Sequence, residues 1–207
     1  MSIFNETITS LETKVKLRNN INDELVNVTL YKQIIGSIIY LCNIIPDIYQ
    51  SVTLLSRFME RPQESNGKVV TRVFQYIKGT IDHGVLIPRL KTSLDRAEVH
   101  VYVDSDFNRD QDKRKSTAGY IFMFGGAPIS WSSRKQGIMV LSSCEAQYVV
   151  ASYADCQPLW IKMLLGELKV IGPKKMKLFV DNKFIIDLSD HHMCHEKSKH
   201  IKRSYVL

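Results

Sequence analysis

From residue 28 onward, apolar and polar positions follow two different periods, and the change of period divides the chain. Tyr31, Ile34, Ile35, Ile38 and Ile39 recur at the three-and-four spacing of one helix face. Pro46 ends that run, and Asp47 stands where it can cap a second helix carrying Val52, Leu55 and Phe58. After a turn at Arg61–Pro62, a third stripe forms from Val69, Val70, Val73, Phe74 and Ile77. It closes on Lys78 and Gly79, a cation and a glycine of the kind that ends helices. Three short amphipathic helices cannot bury their faces alone, so they must pack on one another or on the C-terminal remainder of the chain. Periodicity by itself supports only a generic helical segment. Residues 1–25 are polar, show no sustained period and read as a loose lead-in.

Beyond residues 83–88 the period shortens. VHVYVD (99–104), GYIFMF (119–124) and PISWS (128–132) are dense in β-branched and aromatic residues, and Gly125–Gly126 supplies a turn between the last two. A long helical stretch runs from Ser143 to Leu168, with an interruption expected near Pro158. A short strand, MKLFV (176–180), runs directly into Asp181–Asn182 and a helix ending near Ser189. Strand, strand, strand, helix, strand, helix is the order of a mixed α/β sheet with helices packed on it.

The chain has 207 residues, room for one or two small domains, and its 44% hydrophobic content argues against wholesale disorder. A formal net charge of +7 favours polyanionic partners, either nucleic acid or an acidic membrane surface. Cys42, Cys144, Cys156 and Cys194 are widely spaced with no C-x-x-C pair, which argues against a disulfide framework or a four-cysteine zinc site. The N-terminus lacks the basic-then-apolar pattern of a signal peptide, and no apolar run approaches the roughly 20 residues that span a bilayer. The expectation is an intracellular protein, in cytoplasm or nucleus, without a membrane partner.

Three acidic residues stand out. Asp104 and Asp181 each close an apolar strand, and Glu145 occupies the first turn of the long helix behind Ser142 and Ser143, which can cap it. A carboxylate beyond a buried strand end loses hydration unless a cation or a donor compensates. Carboxylates from two strand ends and one helix start would make a hard oxygen-donor pocket suited to Mg²⁺, or Mn²⁺. Two such ions can activate water and stabilise the leaving oxygen in phosphodiester hydrolysis. The same residues also read as an ordinary turn or cap aspartate and a first-turn glutamate favoured by the helix dipole. Spacing leaves both readings open.

The surrounding words are more specific. YKQIIGSIIYLCNIIPDI, SRFMERP, RVFQYIKGTIDHGV, VDSDFNRDQDKRKSTAGYIFMFGGAPISWSSRKQ, LSSCEAQYVVAS, LWIKMLLGEL, VDNKF and HEKSKHI occur in that order. Together they resemble, over about residues 28–203, the C-terminal end of the copia-type retrotransposon Pol polyprotein. That region holds the last helices of a reverse transcriptase and then an RNase H domain. The resemblance implies an RNase H-like mixed sheet with flanking helices over 96–207, preceded by a small helical segment over 28–90 and the lead-in of 1–27. It implies Mg²⁺-dependent cleavage of the RNA strand of an RNA–DNA hybrid, with Asp104, Glu145 and Asp181 as catalytic and metal-binding carboxylates. No Y-x-D-D word occurs, so polymerase activity is not expected, although a reverse transcriptase segment is an expected partner.

The chain departs from the family pattern in several places. Phe107–Asn108–Arg109 stands where the pattern has W-A-G, Gln147 where it has Glu, and Lys183–Phe184–Ile185 where it has Q-S-A. KHID has become Lys199–His200–Ile201–Lys202. The family's fourth carboxylate lies in an A-D-x-x-T-K word beyond Leu207, so the domain reads as truncated and its cleavage as slow or absent. The alternatives are a catalytically dead or domesticated remnant that binds nucleic acid or a protein partner, and a reading frame with no stable role.

Arg109, Lys113, Arg114 and Lys115 form a basic loop beside the first strand, able to meet a phosphate backbone or simply to be solvated. Ser142, Ser143, Asn182, Lys199 and His200 are further candidates for nucleic-acid contact, and Lys197, Lys202 and Arg203 could extend the track. The His191–His192–Met193–Cys194–His195 run lacks the second ligand pair a structural zinc site needs. Cys144 reads as structural, and Trp131 and Trp160 as core or core-edge residues.

Overall fold

In the computed structural model, which describes residues 5–12, 15, 17–18, 22–88, 99–107, 114–168 and 176–180, the first apolar stripe forms helix α1, Val28–Leu41. Asn27 caps it, its side chain accepting from the Leu30 N–H at 3.0 Å. Tyr31, Ile35 and Ile38 turn inward and pack with Ile48, Val52, Leu55, Val69, Val70 and Val73. The buried Tyr31 hydroxyl donates to the Leu55 carbonyl at 3.0 Å. Burial pushes the Cys42 thiol up to about 11, leaving it a small hydrophobe rather than a reactive group.

The next helix differs from expectation at its start. Pro46–Ile48 is a 3₁₀ turn, and α2 runs over Tyr49–Ser56. Proline at the start of the turn places Asp47 inside it, so Asp47 caps no helix and instead accepts from the Tyr76 hydroxyl at 3.0 Å. Helix α3 spans Glu64–Gly79 and starts on a reciprocal box in which Gln63 and Asn66 satisfy each other's backbone N–H groups. Gly79 is the last helical residue, where the sequence places the end, with Thr80 as the cap. The glycine's lack of a side chain matters, because a Cβ there would sit 3.3 Å from that of Glu6.

The lead-in is not loose over its described part. Leu11, Val15 and Leu17 pack against the helical core. The Ser10 hydroxyl donates to the Asp47 carbonyl at 2.9 Å, and Arg72 pairs with Glu12 at 2.9 Å. Scattered apolar residues without a period suffice here, because the helices already offer a surface to cover.

The described residues from Leu86 onward form a second unit. Strands β1 (Val99–Asp106), β2 (Thr117–Phe124), β3 (Ala127–Lys135) and β4 (Lys177–Val180) make a sheet in the order β3-β2-β1-β4. The first three are antiparallel neighbours and β4 runs parallel to β1, the mixed arrangement of an RNase H-like fold. Gly125 and Gly126 take φ of 57° and 89°, the positive values a two-residue hairpin turn between β2 and β3 requires.

Helix α4, Ser143–Glu167, covers one face of this sheet. Val99, Val101 and Val103 of β1 and Ala118 and Phe122 of β2 pack with Val150, Ala154, Ile161 and Leu165. The helix is unbroken at residue 158, contrary to expectation. Proline there removes one backbone hydrogen bond, while Ala154 and Ile161 on either side hold both halves to the sheet. Trp131 is half-buried on β3, whereas Trp160 is 56% exposed and not a core residue. No helix among the described residues is long and apolar enough to cross a membrane.

Candidate active site at one end of the sheet

Strand alternation decides where Asp104 points. Val99, Val101 and Val103 face α4, so His100, Tyr102 and Asp104 belong to the other face. β1 continues to Asp106, which places Asp104 within the strand rather than at its end. Asp104 is exposed, so its carboxylate keeps its hydration, and the desolvation cost expected from sequence does not arise. Its partner across the ladder is Gly119, which carries no side chain, and a Cβ added there would come no nearer than 3.8 Å to the Asp104 carbonyl. A side chain at this position would be in ordinary van der Waals contact with the Asp104 and Ser132 carbonyls.

Glu145 is built differently. Ser142 is the N-cap of α4, its hydroxyl accepting from the Glu145 N–H at 3.1 Å, and the Glu145 carboxylate accepts from the Leu141 N–H at 2.7 Å. The word S-x-x-E therefore works as a capping pair, which holds a 9% exposed carboxylate in place. Removing the cap with Ser142→Ala is expected to cost about 1 kcal/mol of stability, measurable in urea melts; a change below a few tenths would show that the cap is dispensable.

The sheet end and the helix start are joined by Gln136. The pairs Asp106↔Thr117 and Thr117↔Lys135 bring β1, β2 and β3 level at this end. One position further, the Gln136 N–H donates to the Ser116 carbonyl at 2.9 Å, and its buried side-chain Nε2 donates to the Ala146 carbonyl at 2.8 Å. The first turn of α4, with Glu145, is thus tied to the end of the sheet where β1 delivers Asp104. On the outer side, Arg134 stacks over the Tyr153 ring at 4.7 Å and links β3 to α4 a second time.

β4 ends at Val180, paired with Val103. Asp181 comes next in sequence and lies outside the described residues, as do Asn182, Lys199, His200, Arg109, Lys113 and the His191–His195 run. Among the described residues no three acidic, His or Cys side chains gather into a metal-binding group. Of the basic loop, Arg114 is exposed at a φ of 48°, and the Lys115 ammonium donates to the Gly137 carbonyl. Lys115 therefore helps to shape the turn ahead of α4. Ser143 is exposed in the first helical turn, and Cys144 beside it is half-buried.

Sequence reasoning misses Gly119 and Gln136. A glycine in a strand gave a signal that could have been followed. A glutamine after Arg134–Lys135 gave none, because its neighbours read as surface.

Comparison with known proteins finds consistent relatives. The chain is 34% identical over 197 residues to the retrovirus-related Pol polyprotein from transposon RE2 of Arabidopsis thaliana, covering 95% of this chain and 13% of that protein. It is 36% identical over 182 residues to the corresponding polyprotein from transposon RE1 of the same plant, covering 88% of this chain and 12% of the relative. The secreted RxLR effector protein 161 of Plasmopara viticola is 33% identical over 132 residues, 63% of this chain and 90% of the effector. The chain thus spans about an eighth of the length of the Pol relatives. No family model and no solved structure matches.

Proposed function

The chain belongs to the family of copia-type retrotransposon Pol polyproteins, and from that premise we propose that its second unit is an RNase H-type nuclease acting on the RNA strand of RNA–DNA hybrids. One arrangement supports the reading: Gln136 ties the first turn of α4, which carries Glu145, to the end of the sheet toward which Asp104 lies, on the face of β1 away from α4. The donor set suits a hard cation. Asp104, Glu145 and Asp181 would hold Mg²⁺, or Mn²⁺ in its place, and the bound ions supply Lewis acidity and an activated water.

The chain's own residues do the positioning. Ser142 and the Leu141 N–H hold Glu145, and Asp104 stands exposed on its strand, within reach of solvent and of a phosphate. Arg109, Lys113, Arg114, Ser143, Asn182, Lys199 and His200 are the proposed contacts to the nucleic-acid backbone, neutralising phosphate charge.

A second reading rests on the Glu145 carboxylate. It already accepts from Leu141, so it has a structural role that a binding-only remnant would retain. One assay separates the two: purified chain, a labelled RNA–DNA hybrid, and Mg²⁺ varied from zero to about ten millimolar, a hard-cation range. Mg²⁺-dependent release of RNA fragments is the expected outcome. Retention of the hybrid without cleavage at any Mg²⁺ concentration would favour the remnant.

A further inference from the structure

Gln136 is an odd residue to bury. It is 1% exposed, and its amide makes one side-chain hydrogen bond, from Nε2 to the Ala146 carbonyl at 2.8 Å. Its Oε1 is buried with no hydrogen-bond partner among the described residues. A buried acceptor left unsatisfied costs free energy, so an apolar side chain of similar volume would serve packing at least as well. What an apolar side chain cannot supply is direction. The hydrophobic contacts near this helix start, Val140 with Ala146 and Val149, tolerate sliding. A hydrogen bond to one carbonyl does not.

That carbonyl belongs to the residue after Glu145. Gln136 is itself fixed to the sheet through its backbone N–H on Ser116. A continuous set of bonds therefore runs from the β2–β3 ladder through Gln136 to the first turn of α4, and on to the Glu145 carboxylate and the Leu141 N–H. We propose that Gln136 is a positioning residue: it sets where Glu145 stands relative to Asp104. The proposal rests on the RNase H-type reading for its consequence, but not for its geometry.

Two variants remove the bond in different ways. Gln136→Met keeps the volume without the donor, and Gln136→Glu keeps the shape but turns the donor into an acceptor. Amide hydrogen exchange in the full chain compares Leu141 with Val149 in the same sample, which cancels global stability. In both variants Leu141 is expected to exchange about tenfold faster relative to Val149, the loss of about one net hydrogen bond. The Mg²⁺ concentration for half-maximal response, read as a shift in melting temperature, is expected to rise about 10- to 100-fold, as for loss of a supporting bond around a metal site. If Leu141 and Val149 stay in step in both variants, the positioning role is overturned. If the unsubstituted chain shows no Mg²⁺ response but Leu141 still loosens, the nuclease reading fails and the positioning of Glu145 stands.

Discussion

Asp104→Asn is expected to lower Mg²⁺-dependent cleavage of the hybrid by more than about a hundredfold, beyond what loss of a second-sphere partner costs a metal site. Asparagine keeps the shape and one acceptor oxygen but removes the charge that a divalent ion needs. Stability should barely change. Asp104 is exposed and stands opposite Gly119, and exposed substitutions away from special features fall within about 0.5 kcal/mol. The informative measurement pairs initial cleavage rates over a Mg²⁺ series with thermal melts of both proteins. A variant that melts normally and cleaves at the unsubstituted rate would remove Asp104 from the proposed site. A variant that loses cleavage but keeps hybrid binding would separate chemistry from the backbone contacts of the basic residues.

The second large effect concerns the fold that carries the site. Phe122→Ala is expected to destabilise the second unit by about 3–5 kcal/mol, the range for emptying a buried aromatic position. Phe122 is fully buried on β2, beside Val101 of β1 in the ladder, and packs in one core with Val150 and Ala154 of α4. Against a total of about 5–15 kcal/mol for a small domain, such a loss moves the second unit close to unfolding at 37 °C. The chain has two tryptophans, Trp131 on β3 and Trp160 on α4, so fluorescence excited selectively at tryptophan tracks this unit alone. Urea titration with fluorescence should show an earlier midpoint at an unchanged slope, while circular dichroism retains the signal of α1, α2 and α3. A loss below about 1 kcal/mol would show that the site can collapse around the missing ring.

The two tests fail in different ways. Asp104 reports on chemistry with the fold held constant, and Phe122 reports on the fold with the carboxylates untouched. Loss of cleavage in the second variant alone would say nothing about metal binding.

Much of the architecture was legible in the order of residues. Tyr31, Ile35 and Ile38 name the buried face of α1, because a helix repeats its faces every three to four positions. Val99, Val101 and Val103 name the buried face of β1 for the corresponding reason in strands. The ends of elements were less legible. Asp47 looks like a cap and is carried into a 3₁₀ turn by Pro46, and residue 158 looks like a break and is not one. At residue 158 the packing of Ala154 and Ile161 outweighs a local preference, whereas at Asp47 the preference of Pro46 displaces that of the aspartate. Leu11, Val15 and Leu17 show the same limit, since nothing periodic marks a segment that folds by covering helices formed elsewhere.

By itself, the sequence determined the class of fold, the apolar faces of its helices and strands, and the family words around Asp104 and Glu145. Those features are local, set by residue type and spacing along a few turns or one strand. The tertiary structure alone decided that Asp104 stays exposed beside the bare Gly119, and that Glu145 is held by its own helix cap. It alone showed that a buried glutamine ties helix to sheet at that end. The reason is physical: a hydrogen bond between Gln136 and Ala146 depends on how a strand and a helix pack in space. No spacing in the chain encodes that distance.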